Sequence, residues 1–228
     1  MNAPVLFETP ALLLLVIALT HGNTVNAQSL TDEGWQLAFD KDNIQVHSRS
    51  SPKSGLVETL TLTTIDATPK RVFSVITDFA NYPKFMPHII EARVVKREND
   101  TLLIFQRIRI SNLLRYLFKD RYHVITIRLF YPDDAGNHFR VEWTLNVPAT
   151  QKLQLDSAIA TPINTGYWDL QGVNGGKSTQ IKYYIHTDPG GSIPKYFANT
   201  GVKQSIPMVI RAVREQLMSL QHQQSSSQ

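Results

Sequence analysis

The chain has 228 residues, 42% of them hydrophobic and 18% charged, enough for one domain with a substantial core or with a core that encloses a hole. It carries 23 Lys and Arg against 19 Asp and Glu, a mild basic excess that favours anionic surfaces without choosing between lipid headgroups and nucleic acid. There is no Cys, so thiol chemistry, soft-metal thiolate sites and disulfides are excluded, and the hydrophobic core alone must hold the domain.

Met1 to Pro10 contains no Lys or Arg and is followed by the apolar run Ala11 to Thr20, which is too short to span a bilayer. Val25-Asn26-Ala27 then places small residues where a signal peptidase cuts. Residues 1–27 are therefore expected to be a secretory signal and the protein to be exported, into the periplasm of a bacterium, with an uncleaved membrane anchor as the alternative. Removal of 1–27 takes away one acid, Glu8, and leaves 23 basic and 18 acidic residues. Residues 28–222 are expected to form one ligand-binding domain, and 223–228 a disordered polar tail.

Period-two alternation dominates the middle of the chain. "FRVEWTLNV" sets Phe139, Val141, Trp143, Leu145 and Val147 on one face, and "TQIKYYIHT" does the same with Ile181, Tyr183 and Ile185. Less regular runs occupy 44–48, 56–65, 92–96, 102–110, 121–131 and 163–173. Turn signals at Glu98-Asn99-Asp100, at 133–137 and at Asn174-Gly175-Gly176 separate them. Antiparallel strands are predicted throughout.

Two segments read as helical. After "IDATP", Val72, Phe73, Val75, Ile76 and Phe79 recur at helical spacing until Pro83. From Pro194 onward, Val202, Ile206, Val209, Val213, Leu217 and Leu220 form one apolar stripe, with Pro207 inside it as a predicted kink. Such a sheet needs a cover for its apolar face, and the terminal helix is the element long enough to supply it. Between a wrapped sheet and its helix there is commonly room for a ligand.

"DPGGSIPKYFANTGVKQSIPMVIRAVRE" (188–215) resembles the segment that opens the C-terminal helix of START domains, the StAR-related lipid-transfer family. "GWQLAFDKDNIQVHSRS" (34–50) resembles their first strand. "TPKRVFSVITDFANYPKFMP" (68–87) is similar to the helical insert shared by START, polyketide-cyclase-like and coenzyme Q-binding proteins. "KDRYHVI" and "TGYWDLQ" resemble two further strands. The resemblance spans nearly the whole chain past the signal. It implies an α+β helix-grip fold: a curved antiparallel β-sheet wrapped around a long C-terminal α-helix, with a short helical insert after the first two strands. It also implies an internal pocket for lipids or other hydrophobic small molecules. The residues carried over to that pocket are Phe79, Tyr82, Phe85 and Met86 of the insert, Ile193, Phe197, Val202, Ile206 and Val209 of the covering helix, and the polar candidates Arg121 and Asp169.

Trp143, Trp168 and Tyr183 join the ligand-binding candidates as large strand residues, and Gly201 as a point of close approach or a hinge. Arg107 and Arg109 share a strand face with Phe105. They either pair with Asp169 or a headgroup, or are solvated, and solvation is the default for them and for Arg121. "RISNLLRYLFKDR" mixes Leu113, Leu114, Leu117 and Phe118 with Arg115 and Lys119, a composition that either docks on an anionic membrane or folds back as an ordinary loop.

His47, His88, His123, His138 and His186 lack metal-ligand spacing and are read as structural or surface residues, and no nucleophile elbow or zinc-protease motif occurs. No metal, cofactor, catalytic residue or nucleic-acid partner is expected, and the chain is expected to be a monomer. The reading is a non-covalent lipid carrier. The alternative is a cyclase- or hydratase-like enzyme that uses Asp169, Arg121 or a tyrosine in the same pocket.

Overall fold

The computed structural model describes residues 27–110, 118–131 and 136–225. The predicted signal, residues 1–26 of the 27 assigned to it, lies outside them, as does the tail from 226. A short helix α1 (Ala27–Asp32) leads into a hairpin of β1 (Gln36–Lys41) and β2 (Ile44–Ser50), followed by β3 (Val57–Ile65). The stretch 34–50 is thus two strands where the resemblance implies one. Asp42 and Asn43, both at positive φ (57° and 55°), make the two-residue turn between them. The helical insert consequently follows three strands.

The insert is α2 (Pro69–Ile76), a 3₁₀ turn (Phe79–Asn81) and α3 (Tyr82–Phe85). Thr68 caps α2 by accepting from the Arg71 N–H at 3.4 Å, and Pro69 occupies the first turn, where a missing N–H costs nothing. Four strands follow in antiparallel succession: β4 (Ile89–Glu98), β5 (Thr101–Ile108), β6 (Asp120–Phe130) and β7 (His138–Leu145). Then come α4 (Val147–Leu153), β8 (Ala158–Ala160), β9 (Ile163–Val173), β10 (Ser178–Asp188) and the 31-residue helix α5 (Lys195–Ser225), with Pro207 inside it.

One 10-stranded sheet results, ordered β1-β2-β3-β10-β9-β7-β6-β5-β4, with β8 parallel to β6. Register shifts between Ile89 and Glu91 and between Val94 and Lys96 put extra residues into β4, the device by which a strand bends. The curved sheet turns its concave face toward α2, α3 and α5, which is the helix-grip arrangement.

β5 and β6 bury residues on both faces, so their sequences read as apolar runs rather than clean alternation. Leu102, Ile104, Ile125 and Ile127 enter the main core. Phe105, Tyr122 and Val124 pack on the opposite face, under Ala149 and Leu153 of α4. α4 and β8 escape sequence reading because each is short and Pro148 sits in the former.

The two halves of α5 are held differently. Ile210, Val213 and Leu217 are buried in the main core. Arg214 donates to Asp42 O at 2.7 Å, Thr63 Oγ1 at 2.8 Å, and Asn43 O and Thr64 O at 3.3 Å each, while Arg211 pairs with Asp42 at 3.0 Å. The first turns instead leave Tyr196 75% and Phe197 62% exposed. Among the described residues no helix is long and apolar enough to cross a membrane.

Candidate functional site

Alternation along four neighbouring strands sends one set of side chains from the concave face toward α5. Ile104, Gln106 and Ile108 come from β5, Arg121, His123, Ile125 and Ile127 from β6, Val141 and Trp143 from β7, and Trp168 from β9. With α5 and the insert they enclose a cavity of about 910 Å³ bounded mostly by apolar atoms, Ile104 alone of this set lying behind its wall. Ligand sites span about 300–1,000 Å³, so this one is at the large end.

The structure brings most of the anticipated residues together. Phe79, Tyr82 and Met86 of the insert border the cavity, as do Trp143, Trp168, Tyr183 and Arg121 of the sheet, and Phe197, Gly201, Val202, Ile206 and Val209 of α5. Trp168 and Tyr183, cross-strand partners, stack with ring centroids 4.0 Å apart. Tyr82 donates its hydroxyl to Ile76 O at 2.5 Å and is bound edge-on by Phe79 at 5.4 Å, which fixes the insert against the cavity.

Two candidates fall elsewhere. Asp169 follows Trp168 on β9, so the pleat turns it to the opposite face, where it accepts from Arg140 at 2.7 Å and meets His138 Nε2 at 2.9 Å. Phe85 packs edge-on against Tyr82 at 5.6 Å, beside the core rather than on the cavity wall. Gly201 does border the cavity, but an added Cβ there meets nothing within 4 Å, so the close approach expected of it is not made.

Arg121 overturns the solvated default. It is 2% exposed and donates to main-chain carbonyls throughout: Nε to Pro189 O at 2.5 Å, Nη2 to Gly190 O at 3.0 Å and Nη1 to Lys119 O. Burial lowers its pKa, offset by Asp120 and Asp188 nearby, and the group stays charged. It clamps the turn that opens α5. That turn is tight: a Cβ on Gly191 falls 2.9 Å from Ile159 Cδ1, and Gly191 sits at φ 70°. Arg107 pairs with Asp120 at 2.9 Å and Arg109 lies 3.7 Å from the same carboxylate, so neither meets Asp169.

Of the segment read as membrane-docking, Leu113, Leu114, Arg115 and Leu117 lie outside the described residues. Phe118 reaches the cavity rim, and Lys119 donates to Asp156 O at 3.0 Å.

Sequence reading missed the polar group on the wall. His123, 1% exposed, lies 3.0 Å from Gln106 Oε1 and 3.2 Å from the Asn164 amide nitrogen, and Asn164 Oδ1 accepts from Trp143 Nε1 at 2.8 Å. Burial lowers the His123 pKa to about 4, so the ring is neutral at neutral pH. The signal was present in β6, where Arg121, His123, Ile125 and Ile127 share a period of two. Among the described residues no Asp or Glu borders the cavity, and no group of three or more His, Asp and Glu is placed to hold a metal.

Residues 65–214 match the family described as polyketide cyclase / dehydrase and lipid transport. A protein of Pseudomonas aeruginosa, described as uncharacterized, is 25% identical over 190 residues, 80% of this chain and 86% of its own. Among solved structures, the STAR-related lipid transfer protein of Xanthomonas axonopodis aligns with a TM-score of 0.69 at 23% identity, covering 81% of this chain and 99% of that one. Human StAR-related lipid transfer protein 5 aligns at 0.72 and 12% identity, covering 85% and 93%.

Proposed function

The chain belongs to the polyketide cyclase / dehydrase and lipid transport family and has the START fold, and from this we propose that it binds a lipid or other hydrophobic small molecule non-covalently and carries it in the bacterial periplasm. The observation that carries the proposal is the cavity itself: about 910 Å³, walled by Trp143, Trp168, Tyr183 and the aliphatic strand residues. Water in such a space finds few partners, and an apolar molecule replaces it favourably. Burial of about 300 Å² of ligand hydrocarbon contributes about 7 kcal/mol before association costs.

The cavity side chains favour carriage over catalysis. An enzyme of the cyclase kind needs positioned groups that exchange protons near neutrality. Asp169, the acid such a reading relies on, is ion-paired on the far face of the sheet. Tyr82 and Tyr183 both have pKa values raised far above the ordinary phenol by burial, and His123 is held neutral, so none is poised to act as a general acid or base at pH 7.

Exchange with a membrane is proposed to occur at the first turns of α5. Tyr196 and Phe197 stand in solvent there, in edge contact at 5.6 Å, and Phe197 borders the cavity. Aromatic side chains that stand in water beside a lipid-sized opening gain by entering a bilayer interface.

The test is native mass spectrometry of the mature chain purified from a periplasm, followed by organic extraction. A near-stoichiometric bound lipid is the expected result. An empty protein, under conditions in which a known carrier keeps its cargo, overturns the proposal.

A further inference from the structure

The polar chain on the cavity wall has a direction, and one residue sets it. An indole N–H can only donate, so the Asn164 atom that Trp143 Nε1 meets at 2.8 Å is the carbonyl oxygen. The Asn164 amide nitrogen therefore points at His123, 3.2 Å from Nδ1 and 3.1 Å from Nε2. The neutral ring carries a single proton. Gln106 Oε1, an acceptor, lies 3.0 Å from Nε2. A proton on Nε2 satisfies that contact and leaves Nδ1 to accept from Asn164. The other tautomer lets Nε2 accept from Asn164 at 3.1 Å, but it also sets that lone pair against the Gln106 oxygen and leaves Nδ1–H only a 3.5 Å contact with Thr161 Oγ1.

Donation thus runs from Trp143 to Asn164, to His123, to Gln106. It ends at the Gln106 amide nitrogen, whose two N–H groups have no acceptor among the described residues. Gln106 is 6% exposed and borders the cavity, which makes those donors available to a bound molecule on a mostly apolar wall. Two positions away in register stands the Arg121 guanidinium, and among the described residues no carboxylate borders the space, so the local field also favours oxygen over a cationic group.

We propose that the cavity selects an apolar molecule bearing a carbonyl-type acceptor oxygen, received by the Gln106 amide, over an otherwise equal molecule that lacks one or carries a donor cation. The chemistry is shared by a long-chain ketone, an ester and a carboxylic acid. The inference rests on the carrier reading above. An unmatched buried donor pair is costly, whereas a matched one discriminates by about the net worth of one hydrogen bond.

The test compares heptadecan-2-one, heptadecane and hexadecylammonium as competitors of a cavity-bound fluorescent alkyl reporter. In the wild-type protein the ketone is expected to bind about 5- to 10-fold more tightly than the alkane, and the ammonium more weakly than both. In Gln106→Leu the ketone-to-alkane affinity ratio is expected to shrink below about twofold, with circular dichroism and a thermal melt reporting that the fold is intact. Trp143→Phe releases the fixed end of the chain and is expected to reduce the same ratio without touching Gln106. A wild-type ketone no better than the alkane, or an advantage that survives Gln106→Leu, overturns the proposal while leaving the carrier reading in place. If neither the reporter nor any of the three binds the wild-type protein, both fall together.

Discussion

Gly166 and Trp143 are cross-strand partners on β9 and β7, and the indole lies where a side chain at 166 would have to be: an added Cβ falls 2.3 Å from Trp143 Cζ2 and 2.3 Å from Tyr184 O. The glycine is the space into which the tryptophan leans so that its Nε1 reaches Asn164. Gly166→Ala is expected to destabilise the protein by about 3 kcal/mol, because both the ring and the β10 main chain must shift. Urea unfolding of wild type and variant measures it. A loss below about 1 kcal/mol would show that the ring relocates freely.

Tyr183 offers the opposite case. Its ring is held by the Trp168 stack, and among the described residues its hydroxyl has no hydrogen-bond partner. Tyr183→Phe is expected to leave stability within about 0.5 kcal/mol of wild type, whereas Trp168→Ala is expected to cost about 3 kcal/mol through the lost stack and the enlarged cavity. Thermal melts of the two variants side by side decide the matter.

His123 predicts an acid-side weakness. The unfolded chain takes up this proton near the ordinary value of 6.5, while the folded chain resists it down to about 4 because the ring is desolvated. The unfolded state therefore binds more protons between those values. The stabilisation is complete above about pH 6.5 and is lost as pH falls toward 4, by about 3 kcal/mol over the window. Burial lowers the pKa of His47 too, which adds in the same sense. Stability measured by urea at several pH values is expected to fall more gently below pH 6.5 in His123→Gln, and an unchanged slope would remove His123 from the account.

Arg214 joins the last half of α5 to the β1–β2 turn and to β3 through four acceptors. Arg214→Met keeps the aliphatic stem and is expected to cost about 2 kcal/mol, since four oxygens lose a charged donor. Hydrogen exchange in that half of the helix is expected to rise, with the first turns little changed because they lack this anchor.

Gly201 sits in a helix with open space around its Cβ direction. Gly201→Ala is expected to stabilise the protein by about 0.5–1 kcal/mol through helix propensity. If bending at this point admits the ligand, reporter exchange slows in the same variant. Stabilisation with unchanged exchange would assign the glycine no part in entry.

The sequence alone determined the class of fold. Strict alternation in 139–145 and 179–187 marks half-buried strands, although the same pattern runs on to Val147, which instead opens α4, and the stripe from Val202 to Leu220 marks a helix with one covered face. Both follow from periods of two and 3.6 that each residue carries locally. The helical spacing of the insert was legible in the same way, whereas its contribution to the cavity was implied only by the family resemblance, and Phe85 takes no part in it.

What the tertiary structure decided was which face of each strand is concave and what stands opposite. Trp168 and Asp169 are adjacent and differ only by the pleat, so placing one on the cavity and the other in an ion pair with Arg140 required the sheet. The burial of Arg121 depended on carbonyls of Pro189 and Gly190, about seventy residues away, which no local pattern shows. His123, Gln106, Asn164 and Trp143 come from four strands, and each taken singly is an ordinary strand residue. Only the register that sets them on one wall gives the hydrogen-bond chain its direction, because direction belongs to the set of contacts and not to any residue's own preference.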